Sequence, residues 1–131
     1  MTDLENQFLE AAQSDNILVV INAIEQGIDV NVIDEENFNY TALHWACANG
    51  SYDVAEILIE NSSSIGLNVN MRSKRQLWTP LMNACAADDV HGTEIERNKR
   101  IKIANLLLDN AERLHLDINA MGDGGQTALS L

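Results

Sequence analysis

The stretch TALHWAC at 41–47 recurs as TPLMNAC at 79–85 and begins again as TALSL at 127–131. A chain that repeats itself in this way is constrained to fold as a row of similar units, each burying its apolar face against the next. The repeat therefore decides architecture before local propensity does. Each copy is preceded by a matching phrase: IDVN at 28–31, LNVN at 67–70 and LDIN at 116–119. Each phrase follows an apolar segment of helical period, so the unit reads as helix, helix, extended finger, and then the first helix of the next copy.

The helices have local causes. Thr41 and Thr79 are suited to N-cap the first helix of their copies, and the chain's only proline, Pro80, falls just after a cap, where its missing N–H costs nothing. Gly50 suits the left-handed residue that closes a helix. The second helix follows as SYDVAEILIEN, with Val54, Ile57, Leu58 and Ile65 on one stripe, and as IKIANLLLDNAERL, with Ile103, Leu106, Leu107 and Leu114. An earlier pair, NQFLEAAQS and ILVVINAIEQG, has the same two-helix form with weaker cap chemistry and reads as an N-terminal capping unit.

The order TALHWACANG, a short second helix, GIDVN and then a finger resembles the ankyrin repeat, and the resemblance covers essentially the whole chain. It implies a single all-α domain, an ankyrin-repeat solenoid of stacked helix-turn-helix units with extended finger loops. The divisions are 1–34 (capping repeat), 35–72 (repeat), 73–120 (repeat with an insertion at about 88–100) and 121–131 (start of an incomplete repeat). That last, unfinished copy carries the expectation that these residues are the N-terminal part of a longer protein.

Several departures from the pattern are informative. Ankyrin units recur at about 33 residues, whereas these copies start 38 and 48 residues apart (79 − 41 and 127 − 79). In both copies about four residues are added after the second helix, close to one helical turn, which predicts a longer second helix at least after Leu108. The larger excess of the second copy falls in DDVHGTEIERNKR, expected to project as a loop or to extend the adjoining helices. Where the family's finger has a turn glycine two residues before Thr, this chain has Asn39, Leu77 and Gly125. Asn tolerates the left-handed region and Leu should not, so the finger around Leu77 is expected to turn differently.

Charge narrows the function. Residues 1–71 carry twelve acids and no Lys or Arg, whereas 72–131 carry eight of each sign, for a net charge of −12. Most of such a surface repels a phosphate backbone, which argues against nucleic-acid binding, and any electropositive patch lies in the second half. The N-terminus has no signal-peptide pattern and the run ILVVINAI is far shorter than a membrane span, so the chain reads as cytoplasmic, with no membrane partner. Two cysteines without a secretory signal fit a reducing compartment.

His44 and Cys47 fall on one helical face, but the second copy has Met82 and Cys85 there, so the Cys persists where the His does not. A recurring Cys reads as a small core residue rather than a nucleophile, and Cys47 and Cys85 should not bridge, because stacked helices lie too far apart. The resemblance implies a structural His44, fixing the first helix and neighbouring backbone through its ring nitrogens. Asp88, Asp89, His91, Glu94 and Glu96 match no metal-loop spacing and read as a solvated loop. Asn31, Asn70 and Asn119 recur in register and read as bridges between backbone groups of the fingers. No catalytic set, cofactor or metal is expected.

The resemblance places binding on finger tips and the exposed side of each first helix. Carried over position by position, the partner-binding candidates are Phe38, Tyr40 and Trp45, then Arg72, Lys74, Arg75, Gln76 and Trp78, then Asn83, Asp123 and Gln126. This set is rich in aromatics and Arg, the residue types most often found as binding hot spots. It implies a non-catalytic module that holds another protein, one with an acidic and apolar segment. The plain structural counterpart is that Trp78 packs between neighbouring fingers and the bases are solvated. A second basic cluster, Arg97, Lys99, Arg100 and Lys102, lies in or beside the insertion. Other readings are the targeting arm of a larger enzyme or of a bacterial effector delivered into a host cell, and self-association as a homo-oligomer, which is not favoured.

Overall fold

The computed structural model describes residues 1–86 and 93–131. Its helices come in pairs: α1 (Asp3–Ser14) with α2 (Ile17–Glu25), α3 (Ala42–Asn49) with α4 (Tyr52–Glu60), and α6 (Pro80–Cys85) with α7 (Glu94–Asp109). One-turn helices α5 (Ser62–Ile65) and α8 (Ala111–Leu114) follow the second and third pairs, and a 3-10 turn at Ala128–Ser130 opens a fourth unit. First helices stack in the order α1, α3, α6, and second helices in the order α2, α4, α7. The only strand-like pairing among the described residues is one antiparallel bridge between Asp34 and Tyr40 in the first finger.

The core lies between the two rows. Phe8 and Ala12, Leu43 and Ala46, and Leu81 and Met82 are buried from the first helices; Val20, Val54, Leu58, Ile103 and Leu107 are buried from the second. The first helices start where their cap residues stand. Thr41 Oγ1 accepts from the His44 amide (3.3 Å) and Thr79 Oγ1 from the Met82 amide (3.4 Å), with Pro80 in the first turn. Caps in the first pair are stronger than the sequence reading allows: Thr2 and Glu5 form a reciprocal capping box, and Asn16 caps α2. Asp15, left-handed at φ 59° where it closes α1, accepts from the Val54 amide at 2.9 Å. It thus supplies the N-terminal cap that α4's own Ser51 does not.

The added turns do not lengthen the second helices, contrary to expectation. Both break at an asparagine, Asn61 or Asn110, whose side-chain amide donates to the carbonyl four residues back, Ile57 O or Leu106 O, at 2.8 Å each. At Asn110 the side chain takes that carbonyl and the backbone N–H turns to Leu107 O instead, whereas at Asn61 the side chain and the backbone N–H share Ile57 O; after each the chain restarts as a separate turn. Arg113 fixes one added turn on the other, donating from Nη1 to Ser62 Oγ and from Nη2 to Ile59 O, both at 3.2 Å.

Part of the insertion is helix. Thr93 caps α7, so residues 94–100 extend the second helix N-terminally, while 88–92 lie outside the described residues. This extension crosses the α3–α4 turn at Gly50, which closes α3 at φ 70°. A Cβ there would stand 3.1 Å from Lys99 Cβ and 3.2 Å from Glu96 O, so Gly50 is required by both its backbone angle and the close approach.

The fingers are hairpin-like loops that shorten along the array. They close from Asp34 N to Tyr40 O, Ser73 N to Trp78 O and Gly122 N to Gln126 O, each at 2.8 Å. The first turns through Phe38 and Asn39, both at φ 58°, with Tyr40 N donating to Asn37 O at 3.1 Å. The second turns through Gln76 (φ 66°) and Leu77 (φ 52°). Leu77 therefore occupies the left-handed region it was expected to avoid, and the second finger turns as the first does. Three bonds over-determine this strained backbone. Buried Ser73 donates to Arg75 O at 2.6 Å and accepts from Trp78 N at 3.1 Å, and Gln76 O accepts from Asp123 N at 2.7 Å.

Replacing the exposed Leu77 by Gly removes the left-handed penalty at a smaller entropic cost, so Leu77→Gly is expected to raise stability by about 0.5–1 kcal/mol. Denaturant unfolding checks this, and a loss of similar size would show that the Leu77 side chain contributes more than its backbone costs.

Candidate partner-binding face

Finger tips and first helices form one continuous side of the stack. Two ladders set the spacing between fingers. At the base, Asn31 Nδ2 donates to Gly66 O (2.8 Å) while its Oδ1 accepts from Asn68 N (2.8 Å). One unit on, Asn70 repeats this with His115 O (2.9 Å) and Asp117 N (2.8 Å), so both asparagines bridge backbone groups of adjacent units as expected. At the tips, Phe38 O accepts from Lys74 N and Gln76 O from Asp123 N, both at 2.7 Å. Each accepting carbonyl belongs to a left-handed turn residue, which explains why the same strained turn recurs.

His44 ties the middle of this side together. Thr41 N donates to its Nδ1 at 3.2 Å, and Nδ1 also lies 2.9 Å from Thr41 Oγ1. With Nδ1 accepting, the ring proton is on Nε2, which donates to Trp78 O at 2.9 Å. Burial pushes His44 down from 6.5 to about 4, although the Trp78 carbonyl acts the other way. Cys47 is fully buried and its thiol is pushed up by that burial and by Cys85; both cysteines are free thiols. A buried thiol held protonated beside an imidazole already bonded on both nitrogens is the reverse of an activated nucleophile, so this pair is scaffolding.

The partner-binding candidates divide by what they touch. Phe38 stands at the first finger tip, 44% exposed, with the Arg75 guanidinium carbon 5.3 Å from its ring centre. Tyr40 links inward, 6.3 Å from Phe38, edge-on to Trp45 at 5.0 Å and stacked on His44 at 5.3 Å. Lys74, Arg75, Gln76 and Asp123 have exposed side chains. Arg72 is committed to backbone, donating from Nε to Leu77 O at 3.2 Å and from Nη2 to Met121 O. Trp78 is half-buried, its Cδ1 2.9 Å from where a Cβ on Gly122 would stand, so it packs between fingers. Asn83 is buried, and Gln126 accepts from Gly124 N at 3.1 Å inside the third finger. The Trp45 and Trp78 indole N–H groups are enclosed without a hydrogen-bond partner among the described residues.

Asp88, Asp89 and His91 lie outside the described residues, and Glu96 is taken up in the α7 capping box with Thr93. Among the described residues, no group of three His, Cys, Asp or Glu side chains is placed to hold a metal ion, and no helix is long and apolar enough to cross a membrane. Three contributors escaped the sequence reading. Asp15 could have been found from its place after α1, equivalent to Gly50 after α3, but Ser73 and Arg113 act through finger and inter-unit geometry that no spacing announces.

The family model described as ankyrin repeats (3 copies) matches residues 8–121. The chain belongs to the ankyrin-repeat family. It is 35% identical over 88 residues to a protein of Dictyostelium discoideum named 26S proteasome non-ATPase regulatory subunit 10. That match covers 66% of this chain and 35% of the relative, so the chain spans about a third of the length of that protein. Ankyrin repeats are in general protein–protein interaction modules, and this chain has their paired helices, finger ladder and structural histidine.

The histidine carries a pH consequence. Its folded value is below its unfolded one, so neutral His44 contributes stability that is fully present above about pH 6.5 and is lost as pH falls toward about 4. The loss is on the order of 3 kcal/mol. Unfolding midpoints across that window should fall more steeply for the wild type than for His44→Met, which borrows the residue at the same place in the next copy. Equal slopes would remove His44 from the acid response.

Proposed function

We propose that this chain is a non-catalytic cytoplasmic adaptor that holds a partner protein on the side formed by its finger tips and first helices. The observation that carries the reading is the Phe38–Arg75 tip. An exposed aromatic ring under a guanidinium, backed by Tyr40 and Trp45, is a compact apolar anchor beside positive charge, on a chain whose first 71 residues carry no base. Lys74 and Arg75 flank it, so the partner segment is apolar with adjacent carboxylates. Gln76 and Asp123 form the polar rim, while Arg72, Trp78, Asn83 and Gln126 hold the platform in shape. The relative's name, a regulatory subunit of a large assembly, is in keeping with a binding role.

Phe38→Ala with Arg75→Ala leaves the core and both finger ladders in place. Affinity capture from cytosol with the wild type, followed by titration of the captured protein against both forms, is expected to show at least a tenfold weaker complex with the double variant. Equal affinity with unchanged circular dichroism would move recognition off this side of the stack.

A further inference from the structure

The second helices differ from one another at two outward positions. Counted back from the last residue of each helix, Glu25, Glu60 and Asp109, Leu18 and Ile21 of α2 stand where Asp53 and Glu56 stand in α4 and where Lys102 and Asn105 stand in α7. Although α4 has α2 on one side and α7 on the other, Asp53 is exposed and Glu56 only half-buried. These positions therefore point out of the row rather than along it, and further units stacked at either end would leave them open. The other two second helices place polar or charged groups there, whereas α2 places a leucine that is 75% exposed and an isoleucine that is 36% exposed.

Leu18 lies one turn before Ile21 on the same face, and Ile21 leads that face into a groove of about 200 Å3 between α2, α4 and the added turn α5. Four isoleucines line it, Ile21, Ile24, Ile57 and Ile65, the last supplied by the added turn. A trough between two packed helices takes the apolar ridge of a third, with side chains at three- and four-residue spacing. The rim sets the charge of the occupant. Glu25 lines the groove, Asp53, Glu56 and Glu60 are solvent-accessible on α4, and residues 1–71 hold no Lys or Arg. Arg113, which reaches this row from α8, donates to Ser62 Oγ and Ile59 O. An acidic helix would be repelled by this rim, and a basic one pairs with it.

We propose that the α2–α4 groove docks an amphipathic helix of a partner protein, aliphatic along one stripe and rich in Lys or Arg on the flanks of that stripe. The site lies on the row of second helices and does not depend on the finger tips.

The test uses a labelled amphipathic helix of about 18 residues, with leucine at three- and four-residue spacing and lysine and alanine elsewhere, against the same helix with glutamate for lysine. Because the chain has a net charge of −12, non-specific attraction alone also favours the lysine helix, so the deciding variant makes the chain more acidic. Leu18→Asp with Ile21→Glu gives α2 the residues of α4 at outward positions, and circular dichroism should show an unchanged fold. The expected result is that this variant binds the lysine helix about tenfold more weakly than the wild type despite its two added charges. The charge-neutral pair Leu18→Gln with Ile21→Gln should weaken it similarly, and Phe38→Ala with Arg75→Ala should leave it unchanged. Several outcomes would overturn the proposal. One is a lysine helix that binds either α2 variant as tightly as the wild type, which is attraction to bulk charge. Others are a glutamate helix that binds the wild type equally well, or binding that is lost in the finger-tip variant. The last is a wild-type dimer in sedimentation equilibrium that the α2 variants abolish, which would make a second copy of the chain the occupant.

Discussion

Every unit of this protein depends on backbone hydrogen bonds that its neighbour, not its own chain segment, satisfies. The fingers carry peptide groups that no helix or sheet can use. Asn31 and Asn70 each spend both ends of one amide on the following unit, the tip carbonyls of Phe38 and Gln76 reach the next finger, and His44 reaches the Trp78 carbonyl. These bonds fix the spacing at which the helix rows stack and hold three finger tips as one surface. Asp15 and Arg113 do the same on the side of the second helices, joining α1 to α4 and α8 to α5. The apolar core supplies most of the favourable burial, but the polar ladder decides the register in which that burial occurs.

What the sequence made legible was whatever acts within a few residues of itself. The caps at Thr41 and Thr79, the closing Gly50 and the apolar stripes have short-range causes, and each stands where the pattern put it; Asn31 and Asn70 act across units and were legible only because they recur in register. The misreadings share one origin. Leucine's intrinsic dislike of the left-handed region is overridden at Leu77 by the bond between Gln76 O and Asp123 N, forty-seven residues apart in sequence, together with buried Ser73. Helical phase favours continuous second helices, and Asn61 and Asn110 break them through side-chain bonds that phase does not encode.

The candidate face was legible as a set of positions but not as a set of roles. Position in the repeat cannot separate a residue that points outward from one that braces the platform. Arg72 and Arg75 stand three apart in the same finger, and one is tied to the Leu77 and Met121 carbonyls while the other lies over the Phe38 ring. Trp78 belongs to the scaffold because Gly122 lets it sit between fingers. Arg100 shows the complementary case: it reads in sequence as one more base of a cluster in or beside the insertion, and only its burial makes it unusual.

The central claim is that exposed finger amides are held by neighbouring units, and native-state hydrogen exchange tests it residue by residue. Asn68, Lys74, Asp117 and Asp123 lie in exposed loops, where an amide bonded only to water exchanges quickly. The account predicts that these four amides are protected by a factor of about 1,000 or more relative to unbonded loop amides, and that they lose protection together. Fast exchange at these positions, while the amides of α3 and α6 stay protected, would show that helix packing alone sets the stack and would contradict it.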